Sequence, residues 1–174
     1  CKTLDEVHRI EILVAGLPRH RHWPFEYKAG FSPSDVIEEY IRPSRVVENG
    51  RVVVKEALSE PELVEFEGLG TLEAFNTDGL RSLIDTLEVP NMVEKTMRYP
   101  GHIELMKVFR ETGLFSDETI ELKDGTRVRP LDVTEHLLFP KWTFEDMEPD
   151  VTVMRVTAEG VHGKVPTRLR WDLV

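Results

Sequence analysis

The chain has 174 residues, 40% hydrophobic and 31% charged, and its 22 Lys plus Arg against 32 Asp plus Glu give a formal net charge of −10. That length suits one domain, or a domain with a small appendage, and the composition is that of a chain that folds around a core. The acidic balance excludes a general phosphate-binding surface, so nucleic acid is not an expected partner.

The longest stretch without a charge, Ile12 to Pro18, is far short of the roughly 20 apolar residues of a membrane helix, so no membrane partner is expected. One Cys cannot build an internal disulfide, and no signal peptide is recognisable, so the expected setting is cytoplasmic. Cys1 in place of Met, and the apolar pattern still running at Trp171-Asp172-Leu173-Val174, are read as the ends of a piece of a longer protein. Cys1 itself is read as a boundary residue rather than a reactive thiol, because no activating partner stands beside it.

In chain order, the β-branched density of Val7, Ile10, Ile12 and Val14 before Gly16-Leu17-Pro18 predicts a first strand. A loop from Arg19 to Phe31 leads to Ser32-Pro33-Ser34-Asp35, a helix start ahead of Val36, Ile37 and Tyr40, which share one face. Arg42-Pro43 must end that helix. Asn49-Gly50 suits the positive φ angles of a two-residue hairpin turn between Arg45 to Glu48 and Arg51 to Val54. Asp124-Gly125 repeats the signal between Thr119 to Leu122 and Arg127 to Arg129.

Leu63 to Phe66 and Leu72 to Phe75 read as short strands around Gly68-Leu69-Gly70, and Leu80, Leu83, Ile84 and Leu87 then have helical spacing. Met92 to Tyr99 is a strand, Ile103, Met106 and Phe109 or Arg110 form a second helical stripe, and Gly113 is placed to end it. Pro130 opens a helix carrying Leu131, Thr134, Leu137 and Leu138, with its stop expected at Pro140. Val151 to Val156 and Thr167 to Leu173 should pair across a turn over Gly160 to Gly163. Without regular β-α-β alternation, the expected fold is α+β, a mixed and largely antiparallel sheet with helices covering one face. Val46, Val47, Val52, Val53 and Val54 put more apolar side chains on one hairpin than one buried face requires, which predicts a homodimer through the sheet.

No Gly-x-Gly-x-x-Gly follows a strand, so no dinucleotide site is expected within these residues, and Gly68-Leu69-Gly70 reads as a strand-to-strand turn. His20-Arg21-His22 offers two imidazoles without a third ligand, so no metal is expected. The richest stretch is Glu94-Lys95-Thr96-Met97-Arg98-Tyr99-Pro100-Gly101-His102. It sets a guanidinium, a phenol and an imidazole at a strand-to-helix junction, a chemistry suited to holding a carboxylate. On these residues alone, Arg98 in a structural ion pair and Tyr99 in the core fit as well.

The string EKTMRYPGHIELMKVFRETGLF, with AGLP, YKAGFSPSDVIEEY, ENGRVV and GTLEAFNTDGL before it in order, resembles the second domain of the saccharopine dehydrogenase and lysine 6-dehydrogenase family. The resemblance runs from about Val7 to Val156 and is most specific at Asn76, Thr77 and Asp78 and at Thr96, Arg98, Tyr99, Pro100, Gly101 and His102. It implies a parent in which a Rossmann domain binds NAD or NADP and this domain, residues 1–174, supplies substrate contacts and a sheet surface for dimerisation. The implied activity is hydride transfer at an amine- or imine-bearing carbon of a small amino acid, with these residues inactive by themselves. The alternative is a non-catalytic dimerisation or ligand-binding module.

Within the resemblance, Phe31 and Ser32 belong to the substrate loop, which Tyr27 and Lys28 precede, Asn76, Thr77 and Asp78 to a second wall, and Thr96, Arg98 and His102 to a third, with Tyr99 also among the substrate-binding residues. Arg98 is expected to meet a carboxylate, Asp78 an ammonium, and Ser32 and Thr96 to donate or accept hydrogen bonds. Tyr27, Lys28 and His102 are the candidates for proton transfer. Relatives that take saccharopine are expected to carry Arg where this chain has Thr77, which favours a smaller substrate such as lysine.

Overall fold

The computed structural model describes residues 3–174, so Cys1 lies outside the described residues. Its centre is β6 (Met92–Arg98), flanked on one side by the parallel β1 (Glu6–Pro18), with Ile10 opposite Met92 and Val14 opposite Thr96. Antiparallel β9 (Asp150–His162) and β10 (Val165–Leu173) extend the sheet beyond β1. The other side of β6 is shared by two hairpins. β2 (Ser44–Glu48), with β3 (Arg51–Lys55) behind it, touches β6 at Met92, whereas β5 (Gly70–Asn76), backed by β4 (Glu62–Phe66), pairs from Lys95 to Arg98.

β6 is hydrogen-bonded along both edges, and its polar side chains are covered on the faces as well. All of β6 except Val93 is buried, and this includes Glu94, Lys95, Thr96 and Arg98. Each must therefore find a partner within the protein. Lys95 does so by donating to the Glu60 carbonyl at 2.8 Å and the Glu62 carboxylate at 2.7 Å.

The alternate residues Leu13, Ala15, Leu17, Met97 and Val153 enter the main core. Three helices bury side chains in the same cluster: Val36, Ile37 and Tyr40 of α1 (Pro33–Ile41), Ile103 and Met106 of α3 (His102–Glu111), and Leu138 and Trp142 of α4 (Pro130–Trp142). The α+β fold with a mixed, largely antiparallel sheet is as expected. Asn49 and Gly50 have φ of 50° and 74°, as the hairpin between β2 and β3 requires. The second hairpin forms with two-residue strands, β7 (Ile120–Glu121) and β8 (Arg127–Val128). Gly113 ends α3 with φ of 79°, while Leu114 N reaches Phe109 O and Gly113 N reaches Arg110 O.

Four expectations need correction. The helix over Leu80 to Leu87 shrinks to α2 (Leu83–Thr86), because Leu80 and Leu83 pack with Ile10, Val47 and Met92 in a small second cluster that needs no longer helix. Helix α4 continues through Pro140: the ring removes one backbone donor, but the last turn seats fully buried Trp142 against Phe25 and Tyr27. Gly160 lies inside β9, opposite Val7 of β1 and Thr167 of β10, and the turn falls at Gly163-Lys164; the glycine there serves close strand approach, since a Cβ would sit 1.9 Å from Glu6 O. Finally, Val46 and Val47 are buried within the chain, so the hairpin exposes only Val52 and Val54.

Candidate functional site

Strand alternation turns Glu94 and Thr96 away from Leu13 and Met97 and toward the side lined by Ile12 and Val14. There a cavity of about 310 Å³ opens, walled by Ile12, Val14 and Met154 and by Glu39, Thr77, Asp78, Gly79, Arg81, Glu94 and Thr96. Thr77 Oγ1 donates to Glu94 Oε2 at 2.9 Å and stands 2.7 Å from Thr96 Oγ1. Gly79 leaves room beside them, since a Cβ there would lie 2.2 Å from the Glu94 carboxyl and displace it.

Burial pushes the Glu94 carboxyl up to about 7, and the charge of Glu39 adds to the rise against the Thr77 and Gly79 hydrogen bonds. Glu39, on α1, is also raised by burial, although Arg98, Arg42 and Arg81 pull the other way. The cavity thus holds two carboxyls that resist ionising together, a combination suited to accepting a proton or an ammonium near neutral pH.

Asp78 stands in the same wall but is already committed. Burial raises it, yet the Arg45 guanidinium, at 2.9 and 3.0 Å from its two oxygens, holds it below the usual carboxylate range. Asn76 is buried beneath the wall and donates to Ser59 Oγ and Glu60 Oε2. Phe31 and Ser32 lie exposed at the start of α1, outside the cavity lining.

A second group of candidates forms a separate buried cluster. Arg98 Nε donates to Tyr40 Oη at 3.0 Å, Nη1 to Met97 O at 2.9 Å and Nη2 to Tyr27 Oη at 3.4 Å. Its guanidinium lies 4.4 Å from the centre of the Tyr27 ring and 4.0 Å from Glu39 Oε2. His102 Nδ1 lies 2.9 Å from Phe25 O, so it carries the proton, and Nε2 accepts from Tyr40 Oη at 3.0 Å. Burial and the Arg98 charge lower His102 to about 3, which keeps it neutral. Tyr27 is raised by burial, and Tyr99 is a core residue whose hydroxyl donates to Pro18 O at 3.0 Å.

Tyr27 and Lys28 line a different cavity, of about 510 Å³, with His20, His22 and Trp23 and the 140–149 segment. Lys28 is ion-paired there with Glu148. The sequence candidates are therefore divided: Thr77, Asp78 and Thr96 share one cavity, Tyr27 and Lys28 border another, and Arg98 and His102 lie in the buried cluster. Glu39 and Glu94 were not selected from the sequence. The signal for Glu94 was its i, i+2 spacing with Thr96 on a predicted strand; Glu39 gave none beyond its position beside Tyr40.

By residue type, two places could receive a dinucleotide phosphate, the Gly68-Leu69-Gly70 turn and the start of α3. Gly68-Leu69-Gly70 joins β4 to β5 without a helix, and at the start of α3 the Gly101 amide already donates to the Glu73 carboxylate at 3.2 Å. A pyrophosphate brought to the start of α3 would meet that carboxylate, so neither place fits the phosphates of NAD or NADP. Among the described residues no group of three or more His, Cys, Asp or Glu is placed to hold a metal ion. No helix among them is long and apolar enough to cross a membrane.

Fold and site together define an α+β domain with an acidic cavity beside its central strand. Residues 1–174 match the saccharopine dehydrogenase C-terminal domain, and the chain belongs to this family. Among solved structures it is similar to the apo histidine-tagged saccharopine dehydrogenase (L-Glu forming) from Saccharomyces cerevisiae. The TM-score is 0.77 at 12% identity, over 97% of this chain and 53% of that one, a likeness of fold. The chain spans about half the length of that protein.

Proposed function

We propose that this domain is the amino-acid-binding half of an oxidoreductase that moves hydride between NAD or NADP and an amine- or imine-bearing carbon, with lysine 6-dehydrogenase-like rather than saccharopine chemistry. The observation that carries this reading is Glu94, a buried carboxyl raised to about 7 in a cavity shared with Glu39, Thr77 and Thr96. An ammonium holds its nitrogen lone pair in an N–H bond, and the neighbouring carbon cannot release hydride until that proton leaves. Glu94 is suited to take it: the N–H bond breaks and the O–H bond forms on the carboxylate, which the Thr77 hydroxyl holds by a hydrogen bond before the transfer.

The cavity volume of about 310 Å³ is at the small end of ligand sites and supports a small amino acid over saccharopine. In this reading the dinucleotide belongs to a Rossmann domain of the parent protein, a cytoplasmic enzyme. The test is to assay the parent with lysine and with saccharopine, each with NAD and NADP, and to repeat it for Glu94→Gln. Turnover of neither substrate overturns the proposal.

A homodimer belongs to the same reading, with its support moved from the β2–β3 hairpin to β10, an edge strand that exposes Val165, Trp171 and Leu173. That apolar edge also favours the second reading, a dimerisation module without catalysis. Light scattering of the protein at tens of micromolar tests the dimer, and a monomer's mass would overturn it.

A further inference from the structure

The amine reading, on which this inference rests, accounts for one end of an amino acid and leaves its carboxylate without a partner. A carboxylate taken out of water without a cation is costly. Arg98 is the residue the sequence offers, but it is 3% exposed, does not line the cavity, and already uses Nε, Nη1 and Nη2 on Tyr40, Met97 and Tyr27.

Arg81 differs on each point. It lines the cavity, and its side chain is 54% exposed. Its nearest acid is Asp78, 3.9 Å away, whose two oxygens are held more closely by Arg45. Its fork is thus free for a planar, two-oxygen partner. Arg81 also has φ of 49°, a left-handed backbone that a residue with a long side chain seldom adopts, and such positions cluster where a ligand is gripped.

We propose that Arg81, and not Arg98, receives the substrate carboxylate, so that the cavity takes an amino acid with its ammonium on the Glu39 and Glu94 side and its carboxylate at the Arg81 mouth. Arg98 acts from behind as a positioning residue, 4.0 Å from Glu39 and anchored on Tyr40 and Tyr27.

The test uses two probes that differ by the carboxylate alone, lysine and pentane-1,5-diamine. Carbon NMR follows Glu94 Cδ, Arg81 Cζ and Arg98 Cζ in this protein as each probe is added. Lysine should move Glu94 and Arg81, and the diamine Glu94 alone. If both probes move Glu94 while Arg81 stays silent, or lysine moves Arg98 in its place, the carboxylate assignment is overturned and the amine reading stands. If neither probe moves Glu94, the amine reading fails and this inference falls with it. In the parent enzyme, Arg81→Ala should raise KM for lysine about tenfold with kcat within about threefold, and Arg81→Lys should recover part of the loss. Unchanged KM in Arg81→Ala overturns the assignment.

Discussion

Thr77 and Glu94 are joined by a hydrogen bond whose direction follows the charge on Glu94. Thr77 has one hydroxyl proton, and with Glu94 ionised it goes to Oε2 at 2.9 Å, which requires Thr96 to donate to Thr77 at 2.7 Å. Protonating Glu94 removes that requirement and lets the carboxyl donate instead. The pair can therefore hold either protonation state with its hydrogen bonds satisfied, which is what a group that takes and returns a proton needs.

Glu94→Gln keeps the shape and removes the base. In the parent enzyme kcat/KM for the amino acid should fall by about 10²- to 10⁴-fold. The wild-type pH profile should show an acid limb near 7 that the variant lacks. Profiles that superimpose would assign the base to another residue.

The same groups give the fold a pH signature. Between its ordinary value of 4.5 and about 7, Glu94 binds more proton in the folded state, so its contribution to stability is lost as pH rises through that window. His102 acts oppositely: held at about 3 against an ordinary 6.5, it contributes stability above 6.5 that is lost as pH falls toward 3. Relative to wild type, Glu94→Gln should gain stability from pH 4.5 to 7, on the order of 3 kcal/mol in all. His102→Asn should lose less than wild type on acidification. Urea denaturation across this range checks both slopes.

Arg98→Lys should destabilise the domain by about 2–4 kcal/mol, because one ammonium cannot serve Tyr40, Met97 and Tyr27 in the directions the guanidinium does. Equilibrium unfolding gives the value, and a change within error would place Arg98 outside the load of the fold.

How much of this was legible in the sequence depended on how local its cause is. Asn49-Gly50 and Gly113 announce their backbone angles by residue type, and both formed as expected. The stop at Pro140 was also local logic, but seating Trp142 among Phe25, Tyr27 and His102 is a long-range gain that no window around Pro140 contains. The site divides in the same way. Thr77 and Thr96 were legible as residue types, whereas Glu39 becomes part of the cavity only because α1 is carried over the sheet to Glu94. Arg98 looked like a ligand because sequence does not show that its donors are already taken.

Gly160→Ala tests the close approach of β1 and β9 at a glycine whose local sequence suits a turn. Its Cβ would lie 1.9 Å from Glu6 O and 3.1 Å from Val7 Cα, both backbone atoms of β1 that cannot rotate aside. Destabilisation of about 3 kcal/mol or more is expected, with strands β1 and β9 forced apart. A melting temperature equal to wild type would show that the register near Val7 differs from the one described.

Thr77→Arg probes the choice of substrate. Saccharopine carries three carboxylates, and the cavity offers one lining cation, Arg81, beside three carboxyls of its own, Glu39, Glu94 and the Arg45-paired Asp78. The wild-type parent should therefore prefer lysine. Thr77 is buried against Glu94 and Thr96, so a guanidinium introduced there enters the cavity within reach of the Glu94 carboxyl. An adjacent positive charge favours the ionised form, so Glu94 should move down from about 7 and the acid limb of the pH profile should move with it. The amine of lysine then meets a new cation and a weaker base, while an additional carboxylate of saccharopine gains a partner. The ratio of kcat/KM for saccharopine over lysine should rise by about tenfold or more, the effect of roughly 1.4 kcal/mol. A wild-type preference for saccharopine, or a ratio unmoved in Thr77→Arg while the acid limb shifts, would show that substrate size is decided outside this cavity.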